Sequence, residues 1–146
     1  MNDIIFDLIR LKGKGYCCAQ IIVMLGLEAQ GKQNPELVRA VGGLCFGIGW
    51  SGEMCGALSG GAALLSLHGG KGQDGEEPHE LYPTMMSELV TWFADVAEEA
   101  YGGRRCSEIL ERCPDRSVCG LIVADTYSRC MDILVGHGFD PGAGRG

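Results

Sequence analysis

The stretch SGEMCGALSGG, residues 51–61, sets one cysteine among four glycines and three other small residues, inside an apolar run with helical spacing. Glycine in a helix interior costs about 1 kcal/mol relative to alanine, so so bare a segment calls for a reason. Gly56 and Gly60 stand four apart with Ser59 beside them, which gives a helix here a stripe without side chains. Another backbone or a bulky inorganic ligand can lie close along such a stripe, and the stripe begins at Cys55. Tight helix–helix packing without any cofactor is the plainer explanation. The preceding GGLCFGIGWSG, residues 42–52, adds further glycines, as expected of a loop that also passes near something.

Outward from this segment, apolar spacings of three and four recur while period-two alternation is almost absent, so the fold class is all-α. The expected helices span 2–12, 15–29, 35–46, 52–68, 79–101, 106–112 and 117–136, a single-domain bundle of six or seven helices. Asn34 before Pro35 reads as an N-cap with proline in the first turn, and Pro114 ends the short helix before it. In 79–101, Met85, Leu89, Phe93, Val96 and Ala100 oppose Glu88, Asp95, Glu98 and Glu99, which marks core scaffold. HGGKGQDGEEPHE, 68–80, reads as an exposed loop. Residues 1–136 are expected to form the cysteine-rich domain and 137–146 a flexible tail.

The chain has 146 residues, enough for one domain with a real core. Its longest apolar run, YCCAQIIVMLGL, is a dozen residues against the roughly 20 needed to span a bilayer, so membrane insertion is not expected. Asp3 and Asp7 fall where a secretory signal would be basic and then apolar, which points to a cytoplasmic protein. A net charge of −7 disfavours nucleic acid and anionic lipid as partners. Against that balance, Arg104, Arg105, Arg112 and Arg116 crowd a segment that also holds Cys106, Cys113 and Cys119.

Eight cysteines in a chain read as intracellular turn attention to metal binding or redox chemistry, although free cysteine also serves as a small buried hydrophobe. Cys55, Cys106 and Cys119 each open an expected helix, with Ser51 as cap for the first and Asp115 or Ser117 for the last. The positive end of the helix dipole favours thiolate there. With the arginines nearby, the segment suits negative charge, as thiolates or as an anionic cluster. Cys119 and Cys130 share a helix face but lie about 16 Å apart, too far to hold one metal. Cys17 and Cys18 point about 100° apart, so at most one faces a site made with Cys55; Cys18 aligns with Ile21, Ile22 and Leu25 and is the inward one.

No Cys-x-x-Cys occurs, so neither a thioredoxin-type pair nor a zinc ribbon is signalled, and covalent haem is not expected. GGKGQDG lacks the Gly-Lys-Ser/Thr of a phosphate-binding loop. His68, His79 and His137 lie in or beside glycine-rich loops and read as solvated.

Taken together, GYCCAQ, GGLCFGIGWSGEMCGALSGG, RRCSEIL and SVCGLIV resemble the C_GCAxxG_C_C family of redox-active proteins over about residues 15–124. The signature Cys-Gly-Ala-x-x-Gly falls on Cys55, Gly56, Ala57, Leu58, Ser59 and Gly60, and the other family cysteines fall on Cys18, Cys106 and Cys119. The resemblance implies a small helical domain whose Cys18, Cys55, Cys106 and Cys119 gather as an iron–sulfur or other metal site, with Gly56 and Gly60 beside it. Cys17, Cys45, Cys113 and Cys130 are additional to that pattern, and Cys45 and Cys113 could alter the ligand set. The expected function is that of a redox or electron-transfer protein working with a redox partner protein. A zinc-binding structural module and a metal-free dithiol/disulfide protein or sensor are the alternatives. A homodimer is expected only as the commonest oligomer.

Overall fold

The computed structural model describes residues 2–144, with side chains from Ile4 onward; Met1 and the last two residues of the expected tail lie outside the described residues. Among the described residues seven α-helices make one all-α domain: α1 Asn2–Gly13, α2 Cys18–Ala29, α3 Pro35–Val41, α4 Gly56–Gly69, α5 Tyr82–Ala100, α6 Cys106–Arg112 and α7 Cys119–Gly136. Among the described residues the extended pairing is one isolated bridge, Met54 to Arg105, and no helix is long and apolar enough to cross a membrane.

Helix α4 is the hub, packed against α2, α5 and α7. Its glycines allow this. A Cβ on Gly60 would fall 2.9 Å from Ala19 Cα, and one on Gly61 would fall 3.1 Å from both Cys130 Sγ and Thr126 Cγ2. The middle of the bare stripe is therefore filled by the backbone of α2, the plainer of the two explanations. Around this contact Ile22, Leu64, Leu65, Met85, Leu89, Phe93 and Leu134 are fully buried and form the centre of the core. In α5 the buried stripe runs Met85, Leu89, Phe93 and Ala97; Ala100 is exposed, one step off the expected phase.

Two expected helices change shape. The one expected over 35–46 stops at Val41 and gives way to a 3₁₀ turn, Gly42–Leu44. Beyond Cys45 the chain winds left-handed, with positive φ at Phe46, Gly47, Ile48, Gly49 and Trp50. The one expected over 52–68 starts only at Gly56, because the backbone before it pairs elsewhere: Cys55 N–H donates to Arg104 O (2.9 Å) and Cys106 N–H to Glu53 O (2.7 Å). Ser51 caps no helix; its hydroxyl donates to Gly47 O (2.7 Å) or Ile48 O (2.6 Å) in the left-handed turn.

The solvated reading of His68 is overturned. It is buried, with Nε2 3.4 Å from Gln30 Nε2 and its ring edge-on to Phe139. Phe139, three residues past α7, also contacts the ring of His79 at 4.7 Å. His137 Nε2 lies 3.0 Å from Glu88 Oε1.

Replacing Gly60 by Ala is expected to force α2 and α4 apart and cost about 1–3 kcal/mol in urea unfolding. Gly43→Ala, whose added methyl meets nothing within 4 Å, should stay within about 0.5 kcal/mol of the parent.

Candidate functional site

Four helices present a cysteine at their N-terminal end. Cys18, Cys106 and Cys119 are the first residues of α2, α6 and α7, and Cys55 is the N-cap of α4. Three such positions were expected from the sequence; Cys18 is the fourth. All four thiols line one cavity of about 520 Å³, together with Gly56 and Cys17. The glycine is required there, since a Cβ on Gly56 would overlap the Cys18 sulfur. Gly60, one turn on, faces the α2 backbone and does not line the cavity, so its expected place beside a cofactor is corrected to a packing role.

Local structure sets each thiol. In α2, Gln20 Oε1 accepts from Cys17 N–H (3.2 Å) while Gln20 Nε2 donates to Val38 O (3.1 Å), which ties the start of the helix to α3. In α6, Glu108 Oε1 accepts from Arg105 N–H (3.0 Å), fixing the turn that carries Cys106. Gly47, at φ +67°, lets the left-handed turn press on Cys106; a Cβ there would fall 2.8 Å from Cys106 Cβ. Asp115 Oδ1 accepts from Ser117 N–H (3.0 Å) in the turn before Cys119.

Cys17 and Cys45 are joined in a disulfide with Cα atoms 6.1 Å apart, so Cys45 is unavailable as a fifth thiol. Cys113 stands apart, its Sγ 3.2 Å from Asp115 Oδ1 and from Ser117 Oγ. Cys130 is buried against α4, with Sγ 3.6 Å from Gly61 O. Neither lines the cavity.

The electrostatic expectation is reversed in part. Burial pushes the Cys55 thiol up to about 12, against backbone N–H groups of Ala57 and Leu58 that pull it down. Cys18 is likewise raised, chiefly by burial, with the N–H groups of Phe46 and Ala19 opposing. Cys119 is raised by burial and by Cys18 and Cys106, and lowered by Arg116 and Lys12. Helix N-termini do point at these sulfurs, but the loss of water outweighs them. Of the four arginines expected to serve the site only Arg116 lines the cavity; Arg112 donates to Glu99 O (3.0 Å), and Arg105 lies 4.0 Å from Glu53.

Lys12, Phe46 and Trp50 are lining residues that sequence reasoning missed. Phe46 and Trp50 stack at 5.1 Å, and the Arg116 guanidinium sits 4.7 Å from the centre of the Phe46 ring. The alternation Gly47, Gly49 and Gly52 marked the loop as special, but nothing in it announced the stacked pair.

As donors, the four thiols are a soft set with no histidine or carboxylate on the cavity wall among the described residues. Among those residues no group of three or more histidine, cysteine, aspartate or glutamate side chains is close enough to share one metal ion. A tetrahedral zinc would draw its sulfurs to roughly 3.8 Å from one another.

The family model described as "Putative redox-active protein (C_GCAxxG_C_C)" matches residues 16–133, most of the chain. No curated protein and no solved structure matches it.

The raised thiols make stability fall with alkali. An unfolded thiol ionises near 9.0, whereas Cys55 and Cys130 hold their protons to about 12, so between those values the unfolded chain is the more ionised form. The stabilisation is complete below 9.0 and lost as pH rises. Urea midpoints of the metal-free, thiol-reduced protein should fall over this range, and less steeply in Cys130→Ala.

Proposed function

We propose that in this chain, which belongs to the family described as "Putative redox-active protein (C_GCAxxG_C_C)", the four-thiol cavity is the redox centre and holds an iron–sulfur cluster on Cys18, Cys55, Cys106 and Cys119. The observation that carries this reading is the convergence of four thiols, from four helix starts spread across the chain, on one cavity free of carboxylate and imidazole among the described residues. An iron–sulfur cluster supplies one-electron transfer, and four thiolates suffice to hold either a two-iron or a four-iron form.

The chain's own residues prepare the site for that role. The N-termini of α2, α4, α6 and α7 direct partial positive charge at the sulfurs. Metal must displace the thiol protons, so the raised Cys55 makes assembly favour higher pH. Once the sulfurs are ionised, Lys12 and Arg116 offset their charge. Leu8, Ile21, Ile109 and Ile122 keep water from the walls, which protects a cluster from hydrolysis and oxidation.

A second reading rests on the Cys17–Cys45 disulfide, which places a two-electron thiol couple beside the same cavity. In that reading the chain is a metal-free dithiol/disulfide protein and Cys17 and Cys45 do the chemistry. Zinc has less support, since no three ligands are gathered for a single ion among the described residues.

Protein purified without oxygen should carry iron and acid-labile sulfide, with broad visible absorption that bleaches on reduction. Cys18→Ser, Cys55→Ser, Cys106→Ser and Cys119→Ser should each lose most of the iron, while Cys113→Ala and Cys130→Ala retain it. A colourless, metal-free protein whose alkylatable thiols rise by two on reduction would select the second reading instead.

A further inference from the structure

We propose that the cavity above the four thiols binds a small organic anion with a flat apolar body, held between the Phe46–Trp50 pair and the cations Lys12 and Arg116. This goes beyond the cluster reading: it concerns the walls and mouth of the cavity rather than the sulfurs.

Size is the first ground. At about 520 Å³ the cavity lies within the range of organic-ligand sites, roughly 300–1,000 Å³, and the four sulfurs occupy only part of its wall. The second ground is chemical character. Leu8, Tyr16, Ile21, Ile109, Ile122 and Val123 present apolar surface, while the charged side chains on the wall among the described residues are Lys12 and Arg116, both cationic. In a chain of net charge −7, a cavity lined by two cations and no carboxylate is a local inversion that selects for negative charge.

The third ground is the aromatic element and what it costs to hold it. Trp50 is 76% exposed although it lines the cavity, so much of the indole is free to meet an occupant at the mouth. It reaches that place through a left-handed backbone at Phe46, Ile48 and Trp50, and Arg116 is left-handed too. A residue without the freedom of glycine rarely adopts this backbone, and strain of this kind persists where the surroundings enforce it. Here they do: Cys45, at the start of the turn, is fixed to Cys17; Gly49 N–H donates to Cys45 O (3.1 Å); and Glu53 N–H donates to Gly47 O (2.9 Å). The Arg116 guanidinium sits over the Phe46 ring and Phe46 stacks on Trp50, so the cation and the two rings form one contiguous part of the wall. A flat aromatic carboxylate matches this surface, with its ring on the indole and its charge toward Lys12 and Arg116.

The test uses 2-naphthoate as probe and 2-naphthamide as its neutral counterpart, titrated calorimetrically near neutral pH into the full chain. Naphthoate should bind about tenfold more tightly than naphthamide, the difference one charge-assisted contact makes. Arg116→Gln and Lys12→Gln should each weaken naphthoate by about three- to tenfold and leave naphthamide unchanged, while Trp50→Ala weakens both. These side chains lie at or near the surface, and unchanged helical circular dichroism and melting establish that the variants fold. No binding of naphthoate, equal affinity for the two probes, or indifference to both cation substitutions overturns the inference. Iron is measured on the same samples: naphthoate selectivity in iron-free protein sinks the cluster and keeps this inference, and iron without naphthoate binding does the reverse.

Discussion

The approach of α2 to α4 is the constraint from which the rest of the structure follows. Gly60 admits the backbone at Ala19, and Gly56 admits the Cys18 sulfur, so the two helices meet at a separation that any side chain would widen. That closeness sets the floor of the cavity, because it brings the first residue of one helix beside the cap of the other. Cys106 is then delivered from the far half of the chain by the Met54–Arg105 bridge and by backbone hydrogen bonds from Cys55 N–H to Arg104 O and from Cys106 N–H to Glu53 O, and Cys119 by the packing of α7 against α4. Packing and chemistry are thus one arrangement, in which glycine serves the helix contact at one end of the stripe and the sulfur at the other.

Much of this could be read from residues alone. Helical spacing is a strong signal when the apolar face is regular, and Met85, Leu89 and Phe93 point inward as their spacing requires. The family resemblance named Cys18, Cys55, Cys106 and Cys119, and the structure brings all four to one cavity. What was illegible has a physical reason in each case. The left-handed run defies local preference, since Phe46, Ile48 and Trp50 sit where L-residues rarely go, so only tertiary contacts specify it. Lys12 is separated in sequence from every other cationic part of the site, and no local pattern announces it. His68 looked like a loop residue beside glycines, but its helix continues one residue further, to Gly69, and carries it inside.

The thiol chemistry shows how a sound local argument can lose to a global one. A helix N-terminus favours thiolate, and four such termini are present. Their partial charges compete with the burial of the thiols, and desolvation of the anion is the larger effect for Cys18, Cys55 and Cys119. In the bare protein the Cys18, Cys55 and Cys119 sulfurs are thus weak nucleophiles, sheltered from casual alkylation.

The floor of the cavity and its rim are made from different materials. Helix starts locked into the core carry the sulfurs, whereas a single connection between α3 and α4 carries both stacked rings. Substitutions in that connection can reshape what the protein admits without disturbing the helices beneath. The shape of the mouth and the placement of the sulfurs are therefore separable: one short segment sets the first, and four helix starts set the second.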